Sequence, residues 1–193
     1  MARLFKRALI CVLFLIVSIA ILVVGLAISA PHFSDGPIGP IPGGVFQSGT
    51  LIVKRDIDWS FYRDGEDIEM QLLSPEKSRT TGAFVFEDDL YVSADLGFIW
   101  NRFPQGLTRW ILQIIYIFKD WHEAALEDGR VVLRMEGNLY ERQAVRITDA
   151  DFVSKLHDYV EAGLPCLDLP ANIGERPEQA PNDIWYFRMD PRL

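Results

Sequence analysis

The chain has 193 residues, 49% hydrophobic and 24% charged, which accommodates one folded domain plus an anchor and excludes a disordered tail. The formal net charge is −8; Arg3, Lys6 and Arg7 give residues 1–30 a charge of +3, which leaves −11 on residues 31–193. A domain that acidic repels phosphates, and nucleic acid is excluded as a partner.

The first element in chain order is apolar. Residues 8–30, ALICVLFLIVSIAILVVGLAISA, contain no charge, and about 20 apolar helical residues cross a bilayer core of about 30 Å. The competing reading is a cleaved signal peptide, but its apolar stretch is usually about 7–15 residues and Pro31 would directly follow the cut. An uncleaved anchor is therefore expected. The cations precede it, so the N-terminus is expected in the cytoplasm and the rest of the chain outside it, as a periplasmic or extracytoplasmic domain on the inner (plasma) membrane. Residues 31–49 hold four prolines and five glycines, which predicts a spacer, with close packing against the domain as the alternative. The expected division is 1–30 as cytoplasmic stub and anchor, 31–49 as linker and 50–193 as the exported domain.

Inside that domain the pattern turns to period two. Ile68, Met70 and Leu72 alternate with polar residues, which predicts a half-buried strand over 66–73. Residues 80–86 and 90–94 flank the polar turn Glu87-Asp88-Asp89, and residues 130–136 and 139–147 flank Gly137-Asn138, which gives two hairpins. Thr148-Asp149-Ala150-Asp151 has the form of a helix start, followed by Phe152, Leu156 and Val160 at helical spacing and a stop near Gly163. Residues 183–189 read as a last strand. The expected class is α+β: one transmembrane helix, then a mostly antiparallel, split β-barrel-like domain with a few helices. Between Trp110 and Phe118 eight of nine residues are apolar or aromatic, too few to span a bilayer. A core helix, contact with the bilayer surface or with a membrane-protein partner, and a lid are the readings open for it.

The order of these elements resembles the split β-barrel group, which includes the FMN-binding barrels related to pyridoxamine phosphate oxidase and, closer in pattern, the deazaflavin-dependent nitroreductases. Lys77, Ser78, Arg79 and Thr80 stand where that family has a turn, Ser93 ends the second hairpin strand, and Trp121 precedes Ala125-Leu126. The match covers residues 66–148. It implies a flavin or deazaflavin cofactor, with Lys77, Arg79, Thr80 and Ser93 on its phosphate and Trp121 packed nearby. Pro75-Glu76 replaces the family's glycine-arginine pair, and Glu76 would repel a phosphate.

Other chemistry is sparse. His122-Glu123 begins like a zinc helix, but Leu126 stands where HExxH needs its second histidine. Three histidines leave no metal spacing, and no serine, cysteine or histidine arrangement supplies a nucleophile with its base. His157-Asp158 reads as helix surface. Cys11 lies in the apolar run and Cys166 is alone in the domain, so no disulfide forms within it. The expectation is a non-catalytic ligand-binding or accessory module of a membrane assembly with no cofactor; the alternative is a flavin- or deazaflavin-dependent oxidoreductase.

Overall fold

The computed structural model describes residues 2–39, 41–63, 66–95, 120–163 and 184–192. The apolar segment 110–118 and Cys166 lie outside these residues. Helix α1 runs over Ala2–Phe33, longer at both ends than the apolar run. Within its stretch Ile10–Phe33 an 18-residue window has a mean hydropathy of 3.2 and none of that window is buried, so by length and composition the stretch can cross a membrane.

Among the described residues seven strands follow: β1 (Thr50–Leu51), β2 (Asp67–Leu73), β3 (Glu76–Phe86), β4 (Asp89–Asp95), β5 (Arg130–Met135), β6 (Asn138–Arg146) and β7 (Ile184–Pro191). Helix α2 (Trp121–Glu127) lies between β4 and β5, and α3 (Ala150–Gly163) between β6 and β7. The sheet order is β1-β6-β5-β2-β3-β4-β7, and β7 pairs back onto β6, which closes six antiparallel strands into a barrel. Strand β6 has β5 on one side; on the other, β1 pairs in parallel with its start and β7 with its end. The fold is α+β, as the sequence predicts.

Side-chain alternation fills the barrel. Ile68, Met70, Leu72, Leu90, Val92, Val131, Leu133, Phe187 and Met189 point inward and form one buried cluster. The residues between them face outward, and two structures cover them. Over β3, β4 and β7, α3 packs Leu156, Phe152 and Val160 onto Phe84, Tyr91 and Tyr186. Over β5, β2 and β3 lies the glycine- and proline-rich segment 34–48, bonded to the sheet at several points, so it is not a free spacer.

The hairpin turns differ by one residue from the sequence reading. Met135 pairs with Asn138, so the turn is Glu136-Gly137, both at positive φ (49° and 77°), not Gly137-Asn138. Phe86 pairs with Asp89, which leaves Glu87 and Asp88 as a two-residue turn, again at positive φ. Both match the turn geometry that follows the twist of the strands. Asp149 alone caps α3, its carboxylate accepting from the Phe152 amide at 2.8 Å; Thr148 is not the cap.

Candidate functional site

The largest correction concerns residues 77–80. They do not stand in a turn: the turn is Ser74-Pro75, and β3 begins at Glu76, which pairs with Leu73. In a strand successive side chains face opposite ways, so four consecutive residues cannot converge on one ligand. Lys77 and Arg79 pair with Leu72 and Met70 on the inner face; Ser78 and Thr80 pair with Gln71 and Glu69 on the outer face.

Arg79 reaches the end of the barrel that α2 plugs. It is 8% exposed and pairs with Asp120 at 3.5 Å. Burial pulls its guanidinium down to about 10, and the Asp120 carboxylate opposes that shift, so it remains a cation at neutral pH. Trp121, fully buried, fills the same mouth and packs on Phe187 with ring centres 5.1 Å apart. His122 is buried beside it, edge-on to Trp185 at 5.1 Å, and the Arg146 guanidinium lies 3.6 Å over the other ring system of this cluster, that of Trp185. The opposite mouth is shut by Trp59, which packs on Tyr140 and receives the Arg142 guanidinium at 5.2 Å. Arg142, 2% exposed, also donates to the Arg55 carbonyl at 2.8 Å.

Ser93 pairs with Tyr186 on the outer face, next to the layer under α3. Thr80 lies on the outer face too, but its hydroxyl donates to the Gly39 carbonyl of the covering segment at 3.0 Å. The five sequence candidates thus fall on two faces: Lys77, Arg79 and Trp121 inside, Thr80 and Ser93 outside. They do not form one cradle, and as placed they do not fit a flavin phosphate. His157 is half-buried rather than free surface, with Nδ1 3.3 Å from the Tyr186 hydroxyl. Among the described residues no group of three or more histidine, cysteine or acidic side chains could hold a metal ion.

Among the described residues an open concavity lies elsewhere, where segment 35–49 meets β2, β5 and the β5–β6 turn. It is a cleft of about 660 Å³ lined by Asp35, Ser48, Asp67, Glu69, Thr80 and Arg134, among others. Arg134 sits at its centre. It donates to Asp35 at 2.8 Å, bonds Glu69 across the strand pair, and lies 4.3 Å from the centre of the Phe46 ring. Asp35 also accepts from the Ser48 hydroxyl and the Gln47 amide, and these bonds, with Arg134, hold its carboxyl down to about 2. The cation of the cleft is therefore already shared between two carboxylates, and Asp67 and Glu136 add further negative charge around it. An anionic ligand would meet these carboxylates around an arginine that is already paired.

Sequence reasoning missed Arg134. Its signal is an outward arginine directly opposite Glu69, visible only once β2 and β5 are known to be neighbours and their register is fixed.

No family model matches the chain, and no curated protein is similar to it. Among solved structures the chain is similar to a Listeria innocua protein described as a pyridoxamine 5'-phosphate oxidase. The identity is 9% over 66% of this chain and 83% of that chain, with a TM-score of 0.38, too loose to carry an argument about function or site.

Proposed function

We propose that the chain is a membrane-anchored module without catalytic chemistry of its own, acting outside the cytoplasm as a ligand-binding or accessory subunit of a membrane assembly. The observation that carries this reading is the disposition of the candidate donors. Arg79 is committed to Asp120 beneath a plugged mouth, and Thr80 and Ser93 lie on the opposite face of the sheet. Helix α1 supports the anchor, and three cations before its apolar stretch with none in the turn after it favour a cytoplasmic N-terminus. The Trp110–Phe118 stretch remains the proposed contact with the bilayer surface or with a membrane-protein partner.

The test is to purify the full chain in mild detergent, add FMN or a deazaflavin, remove the excess, and record the absorbance spectrum together with the co-purifying proteins. The expected result is a stoichiometric membrane partner and no retained flavin band. A chain that holds flavin without a partner would establish the oxidoreductase instead.

A further inference from the structure

We infer that residues 34–48 are a built-in ligand of the barrel, and that they make the membrane helix and the barrel one rigid body. The inference rests on the anchor reading for the membrane side alone; the docking itself stands on contacts. The segment is held by its backbone as a bound peptide would be. Gly43 and Ser78 exchange both amide–carbonyl bonds at 2.9 Å, and the buried Ser78 hydroxyl donates to the Gly44 carbonyl at 2.6 Å. The Phe46 amide donates to Gln71 Oε1 at 2.7 Å. Ser78 is fully buried and Gln71 7% exposed, although both lie on the outer face of the sheet; the segment is what covers and satisfies them.

The same segment grips the helix. The Ser34 hydroxyl donates to the Ala30 carbonyl in the last turn of α1 at 2.8 Å and accepts from the Gly44 amide at 3.0 Å. A Cβ on Gly44 would stand 2.6 Å from the Ser34 carbonyl oxygen and 2.8 Å from that of Pro31, and one on Gly43 would collide with the Gly36 carbonyl. Gly36, at φ +85°, lies against the Arg134 guanidinium with no room for a side chain. These glycines thus mark close backbone approach at both ends of the connection rather than slack. A tilt or rotation imposed on α1 passes through Ser34–Gly44 and Asp35–Arg134 into β3 and β5.

The experiment measures distances between spin labels in the full chain, reconstituted in phosphatidylcholine nanodiscs on a Cys11→Ser, Cys166→Ser background. One pair joins the helix end to the barrel (His32→Cys with Lys155→Cys); a second lies within the barrel (Glu141→Cys with Lys155→Cys). A docked segment gives a single narrow distribution for both pairs. Gly44→Val, or Arg134→Gln from the barrel side, should broaden only the first pair toward the spread of a free link, whose root-mean-square end-to-end distance is roughly 20 Å for about 15 residues. The proposal is overturned if the first pair is already broad in the unmodified chain, or if it stays narrow in both variants. Should one variant broaden the barrel pair as well, the other decides. Alkaline extraction of membranes containing the full chain tests the anchor separately: release into the soluble fraction removes the anchor reading and leaves the His32–Lys155 result standing.

Discussion

The carboxylate of Asp35 sets the acid limit of the docked segment. Its ordinary value is 3.8, and the Ser48 hydroxyl, the Gln47 amide and Arg134 lower it to about 2 in the folded chain. A depressed carboxylate contributes stability that is full above 3.8 and is lost as pH falls through its folded value. The segment should therefore stay docked at pH 5 and loosen between about pH 4 and pH 2, read by hydrogen exchange at the Gly44 and Gln47 amides. Asp35→Asn should give faster exchange at pH 5 and flatten the pH dependence; an unchanged profile would show that the clamp contributes nothing. At this scale the sequence was legible where period alone decides, as with Ile68, Met70 and Leu72. It was misleading where a polar residue is buried for a reason far along the chain. Arg79 looks like a ligand donor until Asp120 is placed beside it, and Ser78 looks solvated until Gly43 and Gly44 cover it.

Strands and helices follow local rules more closely than single side chains do. The alternation over 66–73, the two hairpins and the α3 pattern were all readable, because each is a short-range match of residue type to period. The turns slipped by one residue because composition points to glycine and asparagine, whereas pairing of Met135 with Asn138 puts Glu136 in the first left-handed position. Glutamate is costly there, and asparagine followed by glycine is the favoured pair. Glu136→Asn should then raise stability by about 0.5–1 kcal/mol, since an L-residue in this region costs about 1–2 kcal/mol and asparagine relieves part of it. Denaturant midpoints followed by tryptophan fluorescence provide the check, and a fall in midpoint would mean that Glu136 has a role in the cleft. The start of β3 was misread for a related reason: the segment that covers Ser78 and Thr80 comes from outside the strand, so nothing local announces it.

For the molecule as a whole, the charge pattern carries the strongest statement about orientation. Three cations, Arg3, Lys6 and Arg7, stand in the first turns of α1 ahead of its apolar stretch, and the proposed topology, with the barrel outside the cytoplasm, rests on them. Protease added to intact cells with a permeable outer envelope should digest the barrel, and should spare it only after Arg3, Lys6 and Arg7 are replaced by glutamate and Pro31–Asp35 is given a basic cluster. Protection of the unmodified chain would reverse the topology. The closed barrel also has a consequence for the integrity of the chain. Among the described residues, strand β7 is the neighbour that covers one side of β4 and one side of the second half of β6. A nick or truncation anywhere ahead of Ile184 that lets this strand leave would uncover two rows of unpaired amides and carbonyls at once, one on each side of the gap. Such rows recruit other strands. Loss of eight residues would turn a barrel into a curled ribbon with two adhesive margins, so damage in this one strand should lead to aggregation rather than to local fraying.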